Sequence, residues 1–441
     1  MIREQVQQQA VKALIKNNGG TIVLDTGTGK TKVAINFMLE MQFKQILILV
    51  PRIVLQETWV LELIKWGIKK HGDYKNNTYY YIDSEGKTQL ISIRFGTIQG
   101  YYQRSLSDKG ENSLIIADEC HALFSEKYSR FFYNNIRATV IGLTATPEDY
   151  KKDKQKVYKD IAPIVYTYNK AAEDNIINGR KYFVLRTDLD NTKKTINGWK
   201  YPISELEVLN FYNKRMEQAG ERIQEYFNKI GLFNGNYFSS ASKWCWQGKG
   251  NPEQKKLGWP YLKAMSDRKA FMLNQNTTTD LVAGLFNTYN RLHGEYPYIK
   301  DGVLIFSNQI SQAQKILNDE YIVHSKKKKD ENEKIIYGFD EKVFNIIGSC
   351  ESLGMGLNFK RAKVAIFESY VGSHTKASQK MGRTDRLPID ENAVIVIIYI
   401  NNSPCEGWYR KSGFPNFEDE NVTVFISPVK LIEALNDNAK S

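Results

Sequence analysis

A glycine-rich loop between an apolar strand and a helix-like segment is the feature that most constrains the fold of this chain. The loop is Thr26-Gly27-Thr28-Gly29-Lys30-Thr31, which follows the apolar run Thr21–Leu24 and precedes the stretch Lys32–Met41. Such a loop points backbone N–H groups at a phosphate from the positive end of a helix dipole. In the full G-x-x-x-x-G-K-[ST] pattern the first glycine would fall at Leu24, so the match is incomplete. We expect the loop to bind a nucleotide, with Lys30 on the β- and γ-phosphates and Thr31 on Mg²⁺.

Short apolar runs recur in two sets, separated by longer amphipathic stretches. The first set is Thr21–Leu24, Gln45–Val50, Gln89–Arg94, Leu114–Ala117 and Thr139–Leu143. The second set is Val303–Phe306, Tyr321–Val323, Val343–Ile347, Val364–Phe367 and Val394–Ile400. Apolar runs without alternation indicate strands that are buried on both faces, as in parallel sheets covered by helices. The sequence therefore predicts an α/β protein with two parallel-sheet lobes, over residues 1–190 and 297–441.

The segment between the lobes, residues 191–296, has a different pattern. Glu205–Ile230 and Ala264–Asn290 show helical periodicity, and Phe233–Gly258 is rich in Gly, Asn, Ser and Trp, which is typical of a loop. We therefore predict a mainly helical insert or bridge between the lobes.

Aromatic residues in this insert are interleaved with lysines. Trp244 and Trp246, with Lys243 and Lys249 close by, are candidates for contacts to nucleic acid. Aromatic rings stack on bases and lysines neutralise phosphates, which suits a single strand or a fork. The alternative is that the aromatic residues form the small core of the insert, and the sequence leaves this choice open.

Composition narrows the class of partner. The 441 residues carry a formal net charge of +12, spread along the chain, which fits a polyanionic partner. The four cysteines are far apart and have no metal-ligand spacing, which favours a reducing compartment. The first residues lack the apolar region of a signal peptide, and the apolar runs are of strand length. We expect a soluble cytoplasmic protein that has no membrane partner.

Two adjacent carboxylates follow one of the predicted strands. The run Asp118-Glu119-Cys120-His121 comes directly after Leu114–Ala117. The first carboxylate could hold Mg²⁺ through water, and the second could polarise an attacking water as a general base. The next strand ends in Thr144-Ala145-Thr146, whose hydroxyls could hydrogen-bond the carboxylate strand, although a threonine at a strand end is often only a helix cap.

Two arginines lie three residues apart in the second predicted lobe. The run Gln379-Lys380-Met381-Gly382-Arg383-Thr384-Asp385-Arg386 places Arg383 and Arg386 on one helical face. Arginines from a second lobe could stabilise charge that develops on a γ-phosphate and make hydrolysis depend on lobe closure. The ordinary alternative is a solvated helix face.

Together these elements resemble the superfamily 2 helicases and translocases over nearly the whole chain. Thr26–Thr31 matches motif I, Asp118–His121 the DExH box of motif II, Thr144–Thr146 motif III, and Gln379–Arg386 motif VI. Weaker matches are Val50–Arg52 with motif Ia, Gly96–Gln99 with the T-x-x-Q element and Leu304–Ser307 with motif IV. The segment from Ser349 to Asn358, which includes Gly356, resembles motif V. The resemblance implies two RecA-like lobes with ATP and Mg²⁺ as cofactors.

The resemblance also implies a role for each matched residue. The implied catalytic residues are Lys30, Asp118, Glu119, Gln379, Arg383 and Arg386. Nucleotide would be bound by Thr26–Thr31, Gly356 and Gln7, and Mg²⁺ by Thr31 and Asp118. His121, Thr144 and Thr146 would couple the site to a nucleic-acid path that is contacted by Arg52, Thr97, Gln99, Ser307 and Ser349. Gln7, with Arg3, would clamp adenine, and Gln5 competes with Gln7 for that role.

Within the superfamily, the resemblance is closest to the group that contains UvsW of bacteriophages, RecG and the motor subunits of restriction enzymes. The Gly96–Gln99 element and the form of Leu353–Asn358 favour this group. The implied activity is ATP-dependent movement on forked, branched or single-stranded DNA, with unwinding or branch migration, in replication, recombination or repair. The motor would be a monomer, plausibly encoded by a virus or a mobile element.

Three other activities stay open from the sequence. An RNA helicase is one, although Asp385 replaces the glycine found in the motif VI of viral RNA helicases with this DExH spelling. A duplex translocase without strand separation is the second. A nucleotide-gated binding or assembly protein is the third, and the two motif VI arginines argue against it.

Overall fold

The computed structural model describes residues 2–72, 77–102, 112–145, 158–171, 173–232, 236–287, 300, 302–350, 359, 361–370, 372–384 and 391–440. The chain forms two compact units. The first comprises Met1–Arg180, Gly354–Lys363 and His374–Ala393, and the second comprises Lys181–Leu353, Val364–Ser373 and Val394–Ser441.

The first unit contains an eight-stranded, mainly parallel sheet. Its strands are β1 Gly20–Leu24, β2 Gln45–Val50, β3 Lys69–Lys70, β4 Thr78–Ile82, β5 Thr88–Thr97, β6 Ser113–Asp118, β7 Thr139–Thr144 and β8 Ile164–Tyr168. They are ordered β3-β4-β5-β2-β6-β7-β1-β8, and only the pairs β3–β4 and β4–β5 are antiparallel. The described helices of this unit before residue 180 are α1 Arg3–Lys16, α2 Lys30–Glu40, α3 Val54–Lys65, α4 Ile98–Tyr101, α5 Cys120–Leu123 and α6 Glu126–Asn134.

The register of this sheet brings three predicted motifs to one edge. Strand β1 is buried along its whole length, as its unbroken apolar run predicts. Val23 pairs with Thr144, and Asp118 pairs with Leu143. Because the carboxyl ends of parallel strands meet at the same edge, the loop after β1, the carboxylates after β6 and the hydroxyl after β7 lie side by side.

The second unit contains a seven-stranded sheet. Its strands are β9 Arg180–Thr187, β10 Val303–Ser307, β11 Ile322–Val323, β12 Ile346–Cys350, β13 Val364–Phe367, β14 Ala393–Ile400 and β15 Val422–Phe425, in the order β11-β12-β10-β13-β14-β9-β15. The pairs β11–β12, β12–β10, β10–β13, β13–β14 and β9–β15 are parallel.

In the described part of the chain, three helices follow β9, and seven further helical segments come after them. The first three are α7 Glu205–Lys229, α8 Tyr237–Cys245 and α9 Pro252–Asn274. The others are α10 Asn276–Asn287, α11 Ile310–Ile316, the 3₁₀ turn Asp319–Tyr321, α12 Lys329–Asp340, α13 His374–Met381, α14 Cys405–Lys411 and α15 Pro428–Lys440. The prediction of two parallel-sheet α/β lobes with a helical region between them in the chain is confirmed.

Two details of the predicted organisation change. The prediction of a loop over Phe233–Gly258 is wrong, because this segment contains α8 and the start of α9. Each helix is capped by an asparagine, Asn236 or Asn251, whose side chain accepts a hydrogen bond from the backbone N–H three residues later. Strand β9 belongs to the second sheet, whereas we expected the first lobe to run to residue 190. Among the described residues, no helix is long and apolar enough to span a membrane.

Candidate active site

The glycine-rich loop has the backbone conformation that its glycines allow. Gly27 and Gly29 have φ values of 85° and 94°, in the left-handed region that other residues rarely adopt. Gly29 is the N-cap residue of α2, so the loop leads directly into the helix at Lys30. A Cβ atom on Gly29 would lie 2.4 Å from Gln7 Nε2. The close approach of α1 to the loop therefore requires glycine here.

Gln7 adjoins the loop, and Gln5 does not. Gln7 is buried and its Nε2 donates a hydrogen bond to the Thr28 carbonyl at 2.7 Å. Gln5 is exposed, and its Oε1 accepts from the Ile2 backbone N–H at the start of α1. Of the two glutamines in competition for the adenine role, the structure places Gln7 beside the nucleotide loop.

The lysine of the loop is turned back onto the loop itself. Lys30 Nζ donates to the carbonyls of Leu24 at 3.0 Å and Asp25 at 3.4 Å. A phosphate is a stronger acceptor than a carbonyl for an ammonium group. A bound nucleotide would therefore compete with these two carbonyls for Lys30.

The two carboxylates occupy the end of β6, and the first is held by two N–H groups. Asp118 Oδ2 accepts from Trp59 Nε1 at 2.8 Å, and Oδ1 accepts from the Glu119 backbone at 3.0 Å. Burial, and then the charge of Glu119, raise the pKa of Asp118 to about 6. Burial also raises the pKa of Glu119, against the opposing effect of Lys30 and Arg383. Nothing in the sequence indicates a role for Trp59, which lies on α3, 59 residues before Asp118.

A histidine links the second carboxylate to the neighbouring strand. His121 is buried, and its Nδ1 lies 3.0 Å from Thr144 Oγ1 and 3.4 Å from Glu119 Oε2. Of the three side chains predicted to couple the site, His121 and Thr144 are therefore in contact, and Thr146 lies outside the described residues.

The helix with the motif VI sequence belongs to the same compact unit as the loop. A Cβ atom on Gly382 would lie 2.5 Å from Thr26 Cγ2. Arg383 acts electrostatically on Glu119, and Gln379 is half-buried on α13. Two other predicted site residues, Arg386 and Gly356, lie outside the described residues.

The residues predicted to contact nucleic acid differ in solvent exposure. Arg52 and Thr97 are half-buried and Gln99 is exposed, so all three have accessible surface. Ser307 and Ser349, at the ends of β10 and β12, are buried, and neither hydroxyl has a hydrogen-bond partner among the described residues. Their burial corrects the expectation of a direct contact with nucleic acid in this conformation.

The structure also separates the two tryptophans of the insert. Trp244 is 5% exposed and stacks on Phe227 at a centroid distance of 5.4 Å. It lies in a small core with Ile223, Ala241 and Leu262, so its assignment as a nucleic-acid contact is wrong. Trp246 is 55% exposed, with its ring edge-on to Phe238 at 5.8 Å. Only the second remains available to a ligand.

The donor set of the site fits Mg²⁺. Thr31 and Asp118 supply hard oxygen atoms. Burial raises the pKa values of Asp118 and Glu119, and a nearby cation would stabilise their ionised forms. No cluster of three or more His, Cys, Asp or Glu side chains suited to a metal occurs in the described part of the chain. Mg²⁺ usually takes one or two protein oxygens and completes its shell with water and phosphate, which this site allows.

Two parallel-sheet α/β lobes and a nucleotide loop beside paired carboxylates define a two-lobed, RecA-like ATPase. Residues 1–149 match the family described as Type III restriction enzyme, res subunit, and residues 290–388 match the helicase conserved C-terminal domain. These two matches, with the translocase relative described below, support assignment of the chain to the superfamily 2 helicases and translocases.

Individual proteins agree with this assignment. A protein named DNA 3'-5' translocase XPB2 from Sulfurisphaera tokodaii is 27% identical over 403 residues, which are 89% of this chain and 80% of the relative. A protein of Invertebrate iridescent virus 6 that carries the name helicase 161L is 28% identical over 44% of this chain and 42% of that protein. A variant of S. cerevisiae Dbp5 bound to RNA and ADP BeF3 superposes with a TM-score of 0.56 and 12% identity, over 99% of this chain and 93% of that one. The last comparison shows the shared fold.

Proposed function

We propose that this protein hydrolyses ATP to move along DNA and thereby unwinds or branch-migrates forks. The observation that carries the proposal is the meeting of the Lys30 loop with Asp118 and Glu119 at one sheet edge. The net charge of +12 and the similarity to a protein named as a DNA translocase support DNA as the track.

Each residue of the site has a task in this reaction. The Thr26–Thr31 loop and Gln7 hold the nucleotide, and Thr31 and Asp118 hold Mg²⁺. The ion would neutralise charge on the β- and γ-phosphates. Glu119 orients the attacking water and accepts its proton, which its raised pKa favours.

Other residues support this step. His121 bridges Glu119 and Thr144, so a movement at the end of β7 reaches the base through one side chain. Arg383 is close enough to act on Glu119, and with Gln379 and Arg386 it would stabilise charge on the γ-phosphate.

An exposed face of the helical region suits a single strand. Lys256, Trp259 and Lys263 are three and four residues apart on α9, so they share one face of the helix. All three are exposed, and Trp259 has 50% of its surface accessible. Asp267 pairs with Lys263 at 3.2 Å, and a phosphate would compete with it. We include this face and Trp246 among the DNA contacts.

The decisive experiment compares ATP turnover with single-stranded, duplex, forked and four-way DNA and with RNA. We expect the strongest stimulation by forked or four-way DNA and release of a labelled strand. Stimulation by RNA over DNA would identify an RNA helicase. Turnover on duplex without strand release would identify a translocase. A Glu119→Gln protein that keeps full turnover would refute the proposed catalytic site.

The helical face is tested separately by Trp259→Ala. Loss of one stacked base costs about 1–3 kcal/mol, which is roughly 5- to 150-fold in affinity for a single strand. The matched control is Tyr337→Ala, since Tyr337 is also an exposed aromatic residue, 66% accessible, on another helix. Equal affinities for the two variants would remove α9 from the DNA path.

We also propose that the motor is a monomer and that it acts in replication, recombination or repair. ATP turnover per protein that stays constant from nanomolar to micromolar protein would support the monomer. A rise with concentration would contradict it.

A further inference from the structure

The strongest unassigned contact in the first unit joins a buried tryptophan to a carboxylate of the candidate site. Trp59 lies on α3 and is 2% exposed, within the apolar core that covers one face of the first sheet. Its Nε1 nevertheless donates to Asp118 Oδ2 at 2.8 Å. A buried indole N–H needs an acceptor, but any backbone carbonyl of the core would satisfy it. Here the acceptor is the side chain that ends β6.

This contact completes a two-point hold on the carboxylate. The Glu119 backbone N–H donates to Asp118 Oδ1 at 3.0 Å, so each oxygen of Asp118 receives one N–H group. A carboxylate held at both oxygens cannot rotate about its terminal bond without loss of a hydrogen bond. The remaining lone pairs therefore keep a fixed direction. Hydrogen-bonded partners behind a ligand atom commonly fix its orientation toward a metal.

The indole is itself fixed by packing. Trp59 and Leu63 are buried on the same face of α3, and both belong to the core that also contains Phe37 of α2. Phenylalanine would fill most of the same volume but would donate no hydrogen bond. The choice of tryptophan is therefore not explained by packing alone.

We propose that Trp59 is a positioning residue, which holds Asp118 in the orientation that binds Mg²⁺ with the nucleotide. The proposal rests on the assignment of Asp118 as a metal ligand under the proposed function. It predicts that loss of the indole N–H weakens the metal-dependent part of nucleotide binding and leaves the metal-independent part unchanged.

The test is a titration of ADP binding with Mg²⁺ and with EDTA, in the unaltered protein and in Trp59→Phe. A hydrogen bond to a charged group is typically worth enough to change affinity about tenfold or more, so we expect MgADP to bind about tenfold more weakly. ADP in EDTA should bind within about twofold of the unaltered protein, and the Mg²⁺ concentration for half-maximal ATP turnover should rise by the same tenfold. The matched control is Trp244→Phe, the same change at a buried tryptophan of the helical region.

A double-mutant cycle separates this proposal from the one on which it rests. In an Asp118→Asn background, Trp59→Phe should have no further effect on Mg²⁺ dependence. If ADP binding in the unaltered protein is indifferent to Mg²⁺, or to Asp118→Asn, the metal assignment itself fails. If those two respond and Trp59→Phe binds MgADP like the unaltered protein, or weakens both forms of ADP equally, the positioning role is refuted.

A second readout covers the case in which Trp59→Phe does not fold. The chain has seven tryptophans, so seven indole N–H resonances are expected. Addition of Mg²⁺ to the ADP complex should shift one of them in the unaltered protein, and Asp118→Asn should abolish that shift. An unshifted set of resonances would overturn the proposal.

Discussion

The paired carboxylates at the end of β6 should make the protein less stable at neutral pH than it would be with one of them neutralised. Burial and the charge of Glu119 raise the pKa of Asp118 from 3.8 to about 6. A shift of this size corresponds to about 3 kcal/mol between the two protonation states. Burial is the larger cause, so removal of the Glu119 charge should recover only the smaller part, about 1 kcal/mol.

The charge of Glu119 is itself unfavourable in the folded protein. Its pKa is raised by burial even though Lys30 and Arg383 lower it, so desolvation outweighs the two cations. Glu119→Gln removes the charge and keeps an acceptor for His121. The Asp118 carboxyl, whose pKa is raised, stabilises the folded state while it is protonated, and this stability is lost as pH rises through about 6. The advantage of the variant should therefore be full above pH 6 and shrink as pH falls through that value.

Thermal unfolding without nucleotide, in EDTA, between pH 5 and pH 8 measures this difference. A gain of 1 kcal/mol corresponds to a rise in Tm of about 2–4 °C for a unit of roughly 200 residues. The control is Glu217→Gln, at an exposed position of α7, which should change stability by less than about 0.5 kcal/mol. The reasoning is wrong if Glu119→Gln is no more stable than the unaltered protein at pH 8, or if its advantage persists at pH 5.

Three further changes have defined outcomes. Gly29→Ala should weaken ATP binding at least tenfold in a fluorescence titration, because a Cβ atom would lie 2.4 Å from Gln7 Nε2 at a φ of 94°, and wild-type affinity would contradict the loop geometry. Trp244→Ala should lower the free energy of unfolding by about 3–5 kcal/mol, whereas Trp246→Ala should cost less than about 1 kcal/mol, as measured by urea denaturation. Burial raises the pKa of Cys120 to about 12, so this thiol should resist iodoacetamide at pH 8 until the protein is unfolded, as peptide mass analysis would show.

The strands that carry the site could be predicted because they are buried on both faces. β1 and β6 are almost unbroken apolar runs, and each ends at the polar residues that form the site. Once the sheet is parallel, its geometry brings those ends to one edge, so the neighbourhood of Lys30, Asp118 and Thr144 follows from sequence order and strand type. β9 and β15, which are less distinctive, escaped prediction.

The contacts that tune the site could not be predicted, because they join segments distant in sequence. Nothing in the sequence around Trp59 indicates that its indole reaches Asp118, since a tryptophan in an amphipathic helix is ordinarily core. The choice between Gln5 and Gln7 depended on the rotation of α1 about its axis. Trp244 and Trp246 have similar neighbours in sequence, and only the packing of α7, α8 and α9 separates the buried ring from the exposed one.

Two unfavourable features of the first unit meet at Glu119, and their coincidence argues for function over simple packing. Glu119 has a φ of 48°, a left-handed conformation that costs a non-glycine residue roughly 1–3 kcal/mol. The same residue is a half-buried carboxylate with a raised pKa, next to a second such carboxylate. Glycine at this position would relieve the backbone strain, and a neutral side chain would relieve the repulsion between the two carboxylates. Stability alone therefore does not explain a charged, non-glycine residue in a left-handed conformation here. A residue that is unfavourable in both respects is expected where a base must face a phosphate and its ion.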